Sequence, residues 1–133
     1  MTAGYSGTPL WKKLGLKDGM AAEVINPPDS YSHHLLSGSP VVNWGAVADQ
    51  DFVHLFTTLR AELEEVLTAR LSTMARDGMI WVSWPKKTSK VPTEVIEDTI
   101  REVALPIGLV DVKVCAVTEV WSGLKLMIRK ELR

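Results

Sequence analysis

One apolar run, placed between an Asp-Gly dipeptide and a lysine-rich segment, constrains the fold of this chain more than any other feature. Residues 77–78 are Asp-Gly, residues 79–84 are almost entirely apolar, and residues 85–87 are Pro-Lys-Lys. The run lacks the alternation of a half-solvated strand, which predicts a strand buried on both faces, as in the middle of a parallel sheet. The lysine-rich segment then follows the carboxyl end of that strand, where ligands bind in open α/β sheets.

The composition is that of one globular domain. The chain has 133 residues, of which 46% are hydrophobic and 23% charged. This length predicts a single α/β domain over residues 9–133, after a flexible tail over residues 1–8 that is rich in Gly, Ser and Thr. The formal net charge of -1 argues against general nucleic-acid binding and against attachment to a membrane surface, because both require a basic excess.

The sequence also indicates a compartment. No stretch approaches the roughly 20 apolar residues that a membrane-spanning helix needs, and the first residues lack the charged and apolar regions of a signal peptide. We therefore expect a cytoplasmic protein. Its single cysteine, Cys115, lies in an apolar run and is expected to be a buried small hydrophobic residue.

Turn residues and hydrophobic periodicity divide the chain into alternating strands and helices. The predicted helices cover residues 9–15, residues 29 or 30 to 36, residues 59–74, and residues 93–104 with Thr93 as the N-cap. The predicted strands cover residues 20–25, 40–43, 51–57, 79–84, 110–120 and 124–132, with Asp77-Gly78 and residues 121–123 as turns. Such alternation predicts a mostly parallel six-stranded sheet with right-handed crossovers, in a three-layer Rossmann-like α/β sandwich with an antiparallel C-terminal strand.

Several segments resemble a family of small bacterial proteins that is classed as a domain of unknown function. They are residues 81–87, 101–115 and 120–125, and residues 14–20 fit the same family. This resemblance covers nearly the whole chain and implies no particular activity. The order of elements is also similar to the C-terminal half of Rossmann-like methyltransferases, in which the last strand inserts between its two predecessors. That likeness implies the sheet order 2-1-3-4-6-5, whereas composition alone also permits an order ending 4-5-6.

The turn after the first predicted strand argues against a bound cofactor. Conventional binding of S-adenosylmethionine or a nucleotide needs a glycine-rich turn there, but residues 26–30 are Asn-Pro-Pro-Asp-Ser. The chain also lacks a P-loop and a His-Glu-x-x-His motif. The adjacent His33 and His34 would point about 100° apart on a helix, so we expect no metal site.

No catalytic constellation is predicted. Ser83 and Ser89 lie outside any Gly-x-Ser-x-Gly motif, the pattern that presents a serine nucleophile in many hydrolases. His54 lies in an apolar predicted strand, and we expect it to be a hydrogen-bonded structural histidine.

The lysine-rich segment is the best candidate for a binding site. It offers three ammonium groups and two hydroxyl groups near the start of the next predicted helix, whose free N–H groups favour anions, although residues 94, 97 and 98 are acidic and would oppose an anion there. The alternative is a solvated loop. The residues expected to meet at this edge of the sheet are Lys86, Lys87, Thr88, Ser89, Lys90, Asn26, Asp29, Ser30, Thr57, Thr58, Trp84 and Trp121. The two tryptophans either complete the core and rim or form an aromatic wall for a planar ligand.

Two functional hypotheses follow. The first is a non-catalytic regulatory or accessory module that binds a small anionic ligand or a protein partner. The second is a transferase-type enzyme with a degenerate methyltransferase-like fold. A homodimer, formed through the edge of the C-terminal hairpin or through the N-terminal helix that carries Trp11, is a further hypothesis that fits either one.

Overall fold

A six-stranded sheet with helices on both faces makes up the part of the chain that the computed structural model describes, residues 7–31 and 35–133. The strands are β1 (Ala21–Ile25), β2 (Asn43–Trp44), β3 (Gln50–Phe56), β4 (Met74–Pro85), β5 (Leu109–Ala116) and β6 (Trp121–Ile128). The α-helices are α1 (Leu10–Leu14), α2 (Arg60–Thr73) and α3 (Glu97–Ala104), and short 3-10 turns cover Lys87–Ser89, Leu105–Ile107 and Lys130–Leu132. None of the helices described is long and apolar enough to cross a membrane.

The strand order is β2-β1-β3-β4-β6-β5, which confirms the predicted order 2-1-3-4-6-5. Strands β1 to β4 pair in parallel, and β6 runs antiparallel to both of its neighbours, β4 and β5. The central position of β4 explains its apolar sequence, since residues 78–85 are all buried and a strand covered on both faces has no solvated side to alternate with.

Two hydrophobic cores lie on opposite faces of this sheet, and successive residues of each central strand alternate between them. The first packs the sheet against α2 and α3 and includes Val53, Leu55, Leu63, Leu67, Ile80, Val82 and Ile100. The second packs the sheet against α1 and the segment around Tyr31 and includes Leu14, Leu16, Tyr31, Phe52, Phe56 and Trp81.

Trp81 ties the second core to α1. Its side chain is fully buried, and its indole N–H donates a hydrogen bond of 2.9 Å to the carbonyl oxygen of Leu14. Helix α1 ends at Gly15, which has a φ of 87°; glycine is favoured at this left-handed position because it has no Cβ. The predicted helix end at Gly15 and the predicted burial of Trp81 are therefore confirmed.

The helix predicted over residues 59–74 carries one apolar stripe, formed by Leu59, Leu63, Val66, Leu67, Leu71 and Met74. Helix α2 matches this stripe except at the ends. Leu63 and Leu67 are buried, whereas Leu59 precedes the helix and is 53% exposed. Met74 is buried as the first residue of β4. The stripe thus predicted the helix correctly but extended it by a residue at each end.

The prediction that Asp77-Gly78 is a turn was wrong. These residues lie inside β4, where Asp51 of β3 faces residues 75–78 in a bulge of the ladder. Gly78 is needed there because a Cβ atom would lie 2.5 Å from the carbonyl oxygen of Gln50. A glycine required by close approach of another strand has the same sequence signature as a glycine in a turn.

The predicted turn over residues 121–123 was also wrong. Strand β6 begins at Trp121, and the connection uses the preceding residues, where the hydroxyl oxygen of Thr118 accepts hydrogen bonds from the backbone N–H groups of Val120 and Trp121. A threonine turn of this kind has no glycine to mark it. Gly123 instead lies in the strand, where a Cβ atom would crowd Trp81 and Ser83.

The predicted N-cap at Thr93 was wrong as well. The hydroxyl oxygen of Thr93 accepts a hydrogen bond from the N–H of Val95, and α3 starts only at Glu97, where the side chain of Thr99 accepts from the N–H of Ile96. Ile96, which immediately precedes α3, is 55% exposed. The tail predicted over residues 1–8 and the helix predicted to end at residue 36 lie partly outside the described residues.

Candidate functional site

The carboxyl ends of β1, β3 and β4 meet at one edge of the sheet, which we call the rim. The amide N–H of Asn26 Nδ2 donates to the carbonyl oxygen of Phe56 at 3.2 Å. The backbone N–H of Thr57 donates to the carbonyl oxygen of Ser83 at 3.1 Å, and the backbone N–H of Lys86 donates to the carbonyl oxygen of Val120 at 2.7 Å. Parallel pairing therefore brings the predicted residues Asn26, Thr57 and Lys86 to the same edge.

One half of the rim is closed by a carboxylate that the sequence analysis missed. Glu62, in the first turn of α2, accepts hydrogen bonds from Asn26 Nδ2 at 3.0 Å and from the hydroxyl of Thr57 at 2.5 Å. Asn26 adopts a left-handed backbone with φ of 58°, which asparagine tolerates better than other residues with a Cβ. We call these three residues the Asn26 latch. An acidic residue in the first turn of a predicted helix was the available signal.

The neighbouring segment is also acidic. The backbone N–H of Glu94 donates to the carbonyl oxygen of Thr58 at 2.9 Å, and the Glu94 carboxylate accepts from the N–H of Arg60 at 2.9 Å. The Arg60 guanidinium in turn pairs with Glu102. Thr58 is thus held by its backbone, and the carboxylates around it disfavour an anion at this half of the rim.

The other half is the lysine loop, residues 86–90. Lys87–Ser89 form a 3-10 turn and Lys90 follows with φ of 62°. The Ser89 hydroxyl donates to the carbonyl oxygen of Lys86 at 2.6 Å, so it holds the loop together instead of facing a ligand. Lys87, Thr88 and Lys90 are exposed, and their ammonium and hydroxyl groups are the part of the loop that solvent reaches.

The structure separates the lysine loop from the helix terminus that was expected to support it. Because α3 begins at Glu97 rather than at Thr93, residues 91–96 lie between the loop and the first helical N–H groups. The Glu97 carboxylate pairs with Arg101 within α3. Positive charge in this half of the rim therefore comes from the lysine side chains.

The remaining predicted residues lie at or near the rim but on different faces of the sheet. Asp29 is exposed and Ser30 half-buried in the turn after β1, and no hydrogen bond between described residues joins their side chains to the latch. Trp84 belongs to the core beneath α2 and α3. Trp121 packs edge to face on Phe56, with ring centroids 5.2 Å apart, on the opposite side of the sheet. The two indoles thus lie on different faces.

A chain of buried polar side chains lies beneath the rim. The Tyr31 hydroxyl is 2.9 Å from His54 Nδ1, and His54 Nε2 is 2.7 Å from the Ser83 hydroxyl. A neutral imidazole satisfies both partners, because one ring nitrogen donates and the other accepts. Burial lowers the pKa of His54 to about 3 and raises that of Tyr31 above its usual value. The prediction of a hydrogen-bonded structural His54 is confirmed.

The described ranges hold no group of three or more His, Cys, Asp or Glu side chains arranged to bind a metal ion. His33 and His34, which the sequence analysis considered, lie outside those ranges. Cys115 is half-buried, and burial raises the pKa of its thiol, which keeps it in the unreactive protonated form.

Several solved structures share this fold. A SAM-dependent methyltransferase from Aquifex aeolicus aligns with a TM-score of 0.64 and 16% identity, covering 88% of this chain and 86% of that one. A putative type 11 methyltransferase from Sulfolobus solfataricus has a TM-score of 0.59 and 12% identity, covering 91% and 90%. A protein in the NADB-Rossmann superfamily from Streptococcus agalactiae has a TM-score of 0.55 and 9% identity, covering 96% and 71%. At these identities the likeness establishes the Rossmann-like fold and carries no activity.

The family assignment comes from the sequence. No curated protein matches the chain, but the model of a family described as proteins of unknown function, DUF3052, matches residues 41–130. The match covers most of the chain and includes β4 and the lysine loop, which confirms the resemblance carried by residues 81–87, 101–115 and 120–125. The chain therefore belongs to the DUF3052 family.

Proposed function

We propose that this protein is a non-catalytic regulatory or accessory module with a Rossmann-like fold, which binds a small anionic ligand at the lysine loop. The observation that carries the proposal is the Asn26 latch. It closes the turn after β1, where Rossmann-like proteins bring backbone N–H groups close to a cofactor. The latch leaves the lysine loop as the half of the rim with accessible positive charge.

The turn after β1 does not fit S-adenosylmethionine held in the conventional way. Asn26 has a Cβ and directs its side chain toward Phe56 and Glu62, and Pro27 and Pro28 have no N–H to donate. A glycine-rich turn supplies the opposite properties, namely close approach and free donors. These residues support a module without that cofactor.

The buried polar chain supports the non-catalytic part of the proposal. Ser83 and His54 are hydrogen bonded in the arrangement of a nucleophile and its base, but both are fully buried beneath Tyr31 and Phe56. A nucleophile must reach its substrate, and this serine is enclosed by packed side chains. We infer that the hydrogen bonds joining the side chains of Tyr31, His54 and Ser83 stabilise the packing of β3 against β4.

The second candidate, a transferase-type enzyme, is favoured by the fold alone. The Aquifex aeolicus structure is a SAM-dependent methyltransferase and aligns over most of both chains. An enzyme of this kind would have to bind its cofactor without a glycine-rich turn. Retention of S-adenosylmethionine by the purified protein would favour this candidate over the module.

A paired set of variants tests the proposed module. Lys86→Ala with Lys87→Ala removes two charges from the lysine loop, and Lys12→Ala with Lys130→Ala removes two exposed charges, in α1 and after β6, as a matched control away from the rim. We expect phosphate to raise the melting temperature of the wild type and of the control, but not that of the Lys86/Lys87 variant. Equal stabilisation of all three proteins would remove the lysine loop from the site.

A further inference from the structure

A second group of lysines lies away from the rim, on the sheet face that packs against α1. Lys13 is in the last turn of α1, Lys17 follows Gly15, Lys113 is in β5 and Lys125 is in β6. We call these four residues the lysine cluster. Three separate segments of the chain contribute to it, so their proximity is a product of the fold and not of a charge run in the sequence.

Lys113 and Lys125 are directly opposite each other on adjacent antiparallel strands. Side chains at opposed positions point to the same face and lie close together, and like charges there destabilise the sheet. The Lys113 ammonium also lies 3.4 Å from the carbonyl oxygen of Lys13, which brings the end of α1 to the same place. The strands and the helix thus gather positive charge at one point.

Three members of the cluster are not neutralised by ion pairs with the described residues. Lys17, Lys113 and Lys125 form no ion pair with any described residue, and each ion pair found among those residues involves an arginine. Burial and the charges of Lys113 and Lys17 all lower the pKa of Lys125. Each of these causes makes the charged form of Lys125 costly in the ligand-free protein.

Structural roles account for part of the cluster. A lysine on an edge strand such as β5 protects against strand pairing with other molecules, and a lysine near the end of a helix interacts with its last carbonyl groups. Both explanations apply to Lys113. Neither applies to Lys125, which is half-buried in an interior strand, directly beside another lysine.

We propose that the lysine cluster is a binding site for a small anion that carries two or more phosphate groups. Lysine ammonium groups bind phosphate as point charges, and a compact polyvalent anion reaches several of them at once. The negative charge of the bound anion offsets the repulsion between Lys113 and Lys125, which the pairing of β5 with β6 places side by side. This site is separate from the lysine loop and stands independently of the function proposed for the rim.

Inorganic tripolyphosphate is the probe, titrated into the full chain at low salt and followed by backbone amide chemical shifts and by calorimetry. We expect the largest shift changes at residues 13–17, 113 and 125. Lys113→Met with Lys125→Met keeps the aliphatic stems and removes the charges, and is expected to weaken binding by at least about 10-fold, in line with the loss of two ammonium contacts. Lys12→Met with Lys130→Met removes two exposed charges outside both sites, so it is the matched control and should bind as the wild type does, while Lys86→Ala with Lys87→Ala reports any binding at the lysine loop.

The outcomes separate the two sites. Loss of binding in the Lys113/Lys125 variant alone supports the proposal, and so does a Lys113→Glu variant that melts higher than the wild type without ligand but no longer binds tripolyphosphate. Loss only in the Lys86/Lys87 variant assigns the anion to the rim and overturns the proposal. Absence of tripolyphosphate binding, or binding only of a single-stranded oligonucleotide used as a longer polyanion, also overturns it.

Discussion

His54 lies in the interior with its two ring nitrogens facing Tyr31 and Ser83, and burial lowers its pKa to about 3. Its unfolded-state pKa is about 6.5, so the unfolded chain takes up the proton first as the pH falls. The stability that depends on neutral His54 is therefore complete above about pH 6.5 and is lost as the pH falls toward 3.

We predict that His54→Gln flattens this dependence. The wild type should lose about 1.4 kcal/mol per pH unit more than the variant between about pH 6 and pH 4.5. Urea unfolding of both proteins across that range measures the difference, and the other histidines cancel because both proteins carry them. If the free energies of unfolding of the wild type and the variant change equally with pH, His54 titrates normally and is not buried as described.

Trp81 is the largest fully buried side chain. We predict that Trp81→Ala lowers the free energy of unfolding by roughly 3–5 kcal/mol, since it leaves a cavity and removes the donor to Leu14. Trp44→Ala is the control, because Trp44 is 41% exposed and its loss should cost less. A loss below about 1 kcal/mol for Trp81→Ala in denaturant melts is the size expected of a surface residue and would contradict its place in the core.

The Asn26 latch combines a backbone and a side-chain requirement. We predict that Asn26→Gly, which keeps the left-handed backbone but loses the amide, destabilises the fold by roughly 1–3 kcal/mol. Asn26→Ala should cost roughly 0.5–1 kcal/mol more, because alanine is strained at a φ of 58°. Urea unfolding of the two variants tests the order. An alanine variant as stable as the wild type would mean that the turn is not latched.

At the scale of elements, the sequence predicted most of the secondary structure. The apolar stripe of α2 and the apolar run of β4 gave the right elements, because burial on one face leaves a periodic stripe and burial on both faces leaves a continuous apolar run. The errors fell where one residue type serves two purposes. The sequence predicts a turn at Gly78, but this glycine lets β3 approach β4 closely. The sequence predicts a helix cap at Thr93, but the Thr93 hydroxyl closes a turn with Val95, four residues before α3 begins at Glu97.

Gly78 provides the test at this scale. We predict that Gly78→Ala destabilises the protein by roughly 1–3 kcal/mol, because its Cβ would overlap the Gln50 carbonyl and the strands cannot separate freely. Gly19→Ala is the control, since nothing lies within 4 Å of a Cβ there and only its φ of 80° is strained. If the melting temperature of Gly78→Ala equals or exceeds that of Gly19→Ala, the bulge is not closely packed.

At the scale of the whole molecule, the sheet order was predicted through a resemblance and the position of the rim through the order of strands. The sequence could not predict the Asn26 latch, because Asn26, Thr57 and Glu62 come from three elements and meet only in the folded chain. It also could not predict the lysine cluster for the same reason, since Lys13, Lys113 and Lys125 are distant in sequence.

We propose that the rim of this Rossmann-like member of the DUF3052 family does not hold S-adenosylmethionine. Native mass spectrometry of gently purified protein, followed by calorimetric titration with S-adenosylmethionine, tests it most directly. We predict no retained mass of that size and no heat of binding, in the wild type and in the Asn26→Gly variant alike. A retained S-adenosylmethionine, or saturable binding to the wild type, would contradict the claim and favour the enzyme.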